Sequence, residues 1–250
     1  MRNNQTRFSY LQDKYFLKAD MRKFRWMTQN PYFSLKEKEL LALLNQLRPS
    51  RLLEVGTGEA GNLVNLEHRP KLAVGIDLYV DRCRFAREHC STATFVCGNA
   101  YQLPFQSAVF DLVFCRDLLH HVVDGKSLVT EMARTCRPGG HVVCIEACGR
   151  NPVIFCLAVA LRAERGLLRS NAKVLQSMLL EAGLADVNAR MYQPLPTYRM
   201  LLHPRFGFPS LGEREWYRCW ADRFDRLTAR VVPQRWWGYT VVSGRKLATV

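Results

Sequence analysis

From residue 51 onward, short apolar runs alternate with stretches of helical spacing, the pattern of a parallel sheet whose strands are joined by crossover helices. It predicts strands at Arg51–Val55, Leu72–Asp77, Thr94–Cys97, Val109–Cys115, His141–Glu146 and Val187–Tyr192, with helices at about 61–67, 80–90, 124–136 and 171–182. A further β-rich run, Tyr239–Arg245, follows a long insertion after Tyr192. Ahead of the sheet, Ser34 and Glu37 read as a capping box opening a helix whose apolar stripe is Leu40, Leu41, Leu43, Leu44 and Leu47; Pro49 stops it. Within Gly212–Val231, Trp216, Trp220, Phe224 and Leu227 recur at three- and four-residue spacing, and Arg214, Arg218, Arg226 and Arg230 form a second series. The bland reading buries the first series in a core and leaves the second to solvent.

No repeat and no Pro/Gly linker splits the 250 residues, so a single α/β domain is expected. It divides into an N-terminal helical cap (1–50), a core (51–192), an insertion before the last strand (193–237) and that strand (238–250). Nine scattered cysteines without a CxxC pair exclude a disulfide framework and suggest reduced thiols, hence the cytoplasm. The opening MRNNQTRFSY is too polar for an export signal, and the longest strongly apolar run, Val153–Leu161, is too short to span a bilayer. Attachment at a membrane surface stays open. Net charge is +14, distributed as +6 over residues 1–50, +1 over 51–186 and +7 over 187–250, and all five Trp lie in the two basic flanks.

The first strand runs into LLEVGTGEAGNLV, which places Gly56, Gly58 and Gly61 at a strand-to-helix turn. This GxGxxG fits a dinucleotide fingerprint as well as other nucleoside-binding loops. Glu54 narrows the choice, because a carboxylate at the strand's end would repel a pyrophosphate and suit a ligand bearing an ammonium and a sulfonium. Asp77 ends the next strand 21 residues after Gly56, where a carboxylate can accept from ribose hydroxyls.

Together with FVCGNAYQLPFQSAVFDLVFCRDLLHHV and EMARTCRPGGHVVCIEA, these segments resemble the class I S-adenosylmethionine-dependent methyltransferases, most closely the small-molecule branch that includes the quinone-biosynthesis enzymes. The resemblance covers roughly residues 50–190. It implies a Rossmann-like sheet of seven strands, mostly parallel, whose antiparallel last strand would be Tyr239–Arg245. It also implies S-adenosyl-L-methionine as cofactor, with Glu54, Gly56 and Gly58 around the methionine portion, Asp77 at the ribose, and Thr57 and Leu78 beside them. Asn99 and Ala100 would line the adenine pocket, and Arg116 would face cofactor or substrate. Two departures stand out: Ala60 replaces a customary third glycine, and Asn99 replaces the aspartate of a GDA motif.

Candidates for a general base are Asp117, His120 and His121, which follow the fourth strand at its carboxyl end; no metal site is indicated. Glu164, Arg165 and Gly166 follow the apolar run 153–161 and mark a specificity region. The basic, aromatic flanks suggest a small or lipid-like acceptor with an apolar or aromatic body and an anionic group. Two other readings compete: an RNA methyltransferase, motivated by the charge, and a non-catalytic binding protein on the same fold. The sequence leaves the oligomeric state open.

Overall fold

The computed structural model describes residues 17–205 and 207–247. Its centre is a seven-stranded sheet in the order β3-β2-β1-β4-β5-β7-β6. The strands are β1 (Arg51–Val55), β2 (Leu72–Asp77), β3 (Thr94–Cys97), β4 (Phe110–Arg116), β5 (Cys136–Ala147), β6 (Leu184–Tyr192) and β7 (Tyr239–Lys246). The first five pair in parallel, while β7 inserts antiparallel between β5 and β6, as expected for the last strand. Central β1 and β4 are almost wholly buried, which is why they read as continuous apolar runs.

Two strands are longer than their patterns indicate. β5 starts at Cys136, pairing Phe110 across an irregularity before Arg137-Pro138-Gly139-Gly140, a stretch whose composition signals a turn. β6 starts at Leu184 because a register shift around Asp186, which has φ +52°, carries pairing past the first expected residue.

The helices are α1 (Met21–Gln29), α2 (Pro31–Leu47), α3 (Gly61–Asn65), α4 (Val80–His89), α5 (Gly125–Thr135), α6 (Pro152–Ala160), α7 (Ala172–Glu181), α8 (Tyr198–Leu201) and α9 (Glu215–Val231), with a 3-10 segment at Leu119–His121 and another at Arg162–Arg169. Helix α2 starts before the expected capping box. Asn30 is its cap, accepting from the Phe33 N–H at 3.0 Å, and Pro31 takes the first turn. Ser34 is therefore inside the helix, where its hydroxyl donates to Asn65 Oδ1. Leu40, Leu41 and Leu44 are buried as anticipated, with Leu43 and Leu47 packed beside them.

Apolar clusters form on both faces of the sheet, and a third joins the two flanks: Tyr32 and Phe33 of α2 pack with Tyr198, Leu202, Tyr217 and Ala221 of the insertion. Helix α9 enters that cluster through Tyr217 and Ala221, so the expected burial of its tryptophans is corrected: Trp216, Trp220 and Leu227 are exposed. A small residue such as Ala221 lets the helix approach its neighbour closely, whereas the bulky stripe is left outside. Among the described residues no helix is long and apolar enough to cross a membrane.

Candidate functional site

The carboxyl ends of β1, β2 and β4 open into a cavity of about 560 Å³. The loop after β1 lines it through residues 56–59, 61 and 62. Gly56 and Gly58 have φ of +77° and +55°, and a Cβ on Gly56 would meet the Leu118 side chain at 2.9 Å. Ala60 also lies in the left-handed region, at φ +63°, so the customary third glycine is replaced without a change of backbone path but with a strained residue. Asp77 fixes the loop, accepting from Gly58 N–H at 2.8 Å and from Tyr79 N–H at 3.0 Å. Gly56, Thr57, Gly58, Asp77, Leu78, Asn99, Ala100, Arg116, Asp117, His120 and His121 all line the one cavity, so the fold gathers residues spread over 66 positions of sequence.

Glu54 is the exception. It does not line the cavity but lies fully buried one layer beneath, accepting from Thr57 Oγ1 at 2.8 Å and Asn62 Nδ2 at 2.6 Å, and those two residues do line it. Burial pushes its pKa up to about 7, against the pull of the Asn62 and Thr57 hydrogen bonds. Asn99 spends one lone pair of its carbonyl oxygen on the Tyr101 N–H at 3.0 Å and keeps the other.

Arg116 is not an open cation. Its guanidinium donates to Asn62 Oδ1 at 2.8 Å, approaches Asp117 at 3.5 Å and pairs with Glu37 of α2 at 2.5 Å. The other Glu37 oxygen pairs with Arg199 of α8 at 2.7 Å, and Arg199 lies over the Tyr239 ring at 4.3 Å. Glu37, expected in a capping box, is thus a buried site carboxylate. Asp117 sits at φ +48°, accepts from Tyr239 Oη at 3.2 Å and keeps its other oxygen, Oδ1, buried without a protein partner. Strain of this kind at the end of a central strand is characteristic of functional positions. The Trp26 indole N–H, also on the cavity wall, is the complementary case: a buried donor without an acceptor.

The two histidines part company. His120 Nδ1 meets Glu146 Oε2 at 2.5 Å and its Nε2 meets Glu164 Oε2 at 3.1 Å; Glu146 is itself held by the Leu118 and Leu119 N–H groups. Burial alone would favour the neutral ring, yet the two carboxylates outweigh it and raise the pKa to about 10. A ring that already holds both protons cannot act as a base, so the expectation of a base at His120 does not fit this geometry. Burial, reinforced by the charge on His120, lowers His121 to about 3 and leaves it a neutral acceptor. Against burial, Glu164 falls to about 2, chiefly through the His120 hydrogen bond, with the charges of His120 and Lys23 adding to it.

His120, His121 and Glu164 form, among the described residues, one group whose potential ligand atoms lie within 4.8 Å of one another. Both nitrogens of His120 already serve carboxylates, so the cluster reads as an ion-pair network.

The remaining cations on the wall are compensated as well: Lys23 and Arg82 by Glu59, and Arg205 by Asp20. None of Arg218, Arg226 and Arg230 lines the cavity. Around the loop, Glu54, Glu37 and Asp117 outnumber Arg116 and Arg199 once Glu54 ionises. A ligand with a cationic head fits that imbalance.

Residues 53–144 match the family described as a methyltransferase domain. Demethylmenaquinone methyltransferase of Roseiflexus castenholzii is 37% identical over 109 residues, covering 42% of this chain and 46% of that protein. Phosphoethanolamine N-methyltransferase of Triticum aestivum is 28% identical over 160 residues, covering 61% of this chain and 31% of that protein. The chain thus spans less than half the length of either relative. Haemonchus contortus phosphoethanolamine N-methyltransferase 2, solved with S-adenosyl-L-methionine, shares the fold at a TM-score of 0.61 and 19% identity over 84% of this chain and 52% of that one. With the sheet order and the glycine loop, the match identifies a methyltransferase domain over residues 53–144, on a fold shared with that solved enzyme.

Proposed function

We propose that the chain methylates a hydroxyl or amino group on a small or lipid-like acceptor with an apolar or aromatic body. The observation that carries this reading is the continuity of one cavity from the glycine loop to Asp117 and His121. S-adenosylmethionine supplies, when bound, a methyl group on a cationic sulfur. Gly56, Thr57 and Gly58, with Glu54 beneath them, would hold its methionine end, Asp77 and Leu78 would serve the ribose, and Asn99 and Ala100 the adenine. Arg116 acts from the wall by orienting Asn62 and Asp117.

On the acceptor side, Trp26, Phe33, Leu157 and Leu161 offer apolar surface. The orphaned Asp117 Oδ1 and neutral His121 take hydrogen bonds from the nucleophile, and the Trp26 N–H meets an acceptor atom on the same molecule. His120 is a positioning residue that fixes Glu164 and keeps His121 neutral. An anionic group on the acceptor finds no support in the cavity, because its cations are already paired with carboxylates. Much of the acceleration then comes from holding the nucleophile in a dry, oriented pocket.

Titration calorimetry with S-adenosylhomocysteine, followed by transfer of labelled methyl to apolar alcohols, phenols and amines, tests the reading. Binding and turnover are expected, with His121→Asn lowering kcat by about a hundredfold at unchanged S-adenosylhomocysteine affinity. Absent binding, or binding without turnover on any acceptor, would count against it.

A further inference from the structure

Helix α9 shows solvent the face that a core helix would hide. Its buried residues are Tyr217, Ala221 and Thr228. Trp216, Trp220, Leu227 and Val231 are 63%, 48%, 59% and 69% exposed. At about 100° per residue these four share an arc of about 60°. Exposed Arg223, Arg226 and Arg230 occupy the next arc, on the side away from the buried face. The helix's two aspartates are spent inward: Asp225 pairs with Lys36 at 2.8 Å and Asp222 approaches it at 4.0 Å. Apart from Glu215 in the first turn, the outward charge of α9 is therefore arginine.

The same composition continues beyond the helix. Trp236 is exposed, and its carbonyl accepts from Asn151 Nδ2 at 2.8 Å; Asn151 is the cap of α6. Helix α6 carries no charged residue, lines the cavity with Ile154 and Leu157, and exposes Phe155 and Val159 on its other side. Exposed Arg162, Arg165 and Arg169 follow it.

We propose that the outer face of α9, extended through Trp236 toward α6, docks on a bilayer leaflet containing anionic lipid. Charge complementarity selects this occupant. A second copy of the chain would bring another +14 and the same arginines, and would be repelled. An RNA would meet the arginines but would leave Leu227 and Val231 against water. A leaflet answers both components: indole rings settle at headgroup depth, aliphatic side chains reach the acyl boundary, and guanidinium groups meet phosphate. The proposal uses neither cofactor nor acceptor, so it is independent of the transfer reaction.

Co-sedimentation of the full chain with vesicles tests it. At low salt the protein should pellet with phosphatidylcholine vesicles containing about a third phosphatidylglycerol and stay in solution with phosphatidylcholine alone. Replacing Arg223, Arg226 and Arg230 with Gln should weaken the anionic-vesicle interaction by roughly a hundredfold, about fivefold for each arginine. Trp216→Ser with Trp220→Ser should weaken it comparably. Circular dichroism should show both variants folded at the assay temperature, with a melt superimposable on the parent for the arginine variant and a midpoint lower by a few degrees for the tryptophan variant, because Trp220 is 48% exposed and stacks on Phe224. The proposal is overturned by equal pelleting with both vesicle types, by variants that bind within threefold of the parent, or by no vesicle binding at all. In the last case, retention on poly(U) or concentration-dependent dimerisation would reassign the face to RNA or to self-association.

Discussion

Replacing Glu37 with Gln tests whether the cap and the sheet share one electrostatic unit. The parent carboxylate is fully buried and bridges Arg116 at 2.5 Å and Arg199 at 2.7 Å, so neutralising it leaves two buried guanidinium groups with Asp117 as the nearest remaining anion, 3.5 Å from Arg116. Breaking a buried pair by removing one partner costs about 3–5 kcal/mol, because the surviving charge is desolvated without compensation. Gln keeps the volume and one acceptor oxygen, which places the expected loss near 3 kcal/mol; Ala should approach the upper end of the range. Urea unfolding at neutral pH measures this as a fall of about 1 M in the midpoint for a slope of about 3 kcal/mol/M. Adding Arg199→Met should return part of the loss, since it removes one uncompensated charge, giving a coupling of about 1–3 kcal/mol in the double-mutant cycle. A Gln variant within about 1 kcal/mol of the parent, or strictly additive effects, would refute the reasoning.

Glu54 ionises at about 7 in the folded chain, so affinity for a ligand with a cationic head should rise by up to about eightfold between pH 6 and 7.5, and Glu54→Gln should abolish the slope; calorimetry at the two pH values decides. Ala60→Gly relieves a left-handed alanine at the cost of backbone entropy and should raise stability by about 0.5–1 kcal/mol, read from the thermal midpoint; a loss would mean that the loop is unstrained. His120 binds its proton more tightly folded than unfolded. Its contribution is complete below pH 6.5 and fades as pH rises through about 10, so His120→Gln should flatten the stability profile over that interval, and a profile as steep as the parent's would contradict the ion-pair assignment.

The sheet was legible because strands buried on both faces have to be apolar throughout, and the glycine loop because backbone at positive φ favours glycine. Glu37 was misread because Ser34-x-x-Glu37 satisfies the capping-box spacing, while Asn30-Pro31 begins the helix four residues sooner. A signal was present: Glu37 falls on the stripe continued by Leu40, Leu41 and Leu44, where a carboxylate must be buried and paired. Glu146 carried a similar sign, as the one charged residue in HVVCIEA. Arg199 and Tyr239 gave none, because only folding brings positions 37, 116, 199 and 239 together. The orientation of α9 was ambiguous for a physical reason. Its Tyr217-Ala221-Thr228 face is as continuous as its tryptophan face, and only the partner surface built by Tyr32 and Tyr198 selects between them.

The position of β7 has a consequence for how the chain is made. In the order β5-β7-β6, the strand that completes the sheet is synthesised after both of its neighbours, and it carries Tyr239, whose hydroxyl holds Asp117. Until residues 239–246 leave the ribosome, β5 presents an unpaired edge and β6 has no partner. Translation therefore passes through a stage in which an apolar strand edge is open and the cavity lacks a wall. The interval between β6 and β7, occupied by the basic insertion, sets how long a nascent chain stays exposed to misassociation and in need of chaperone cover.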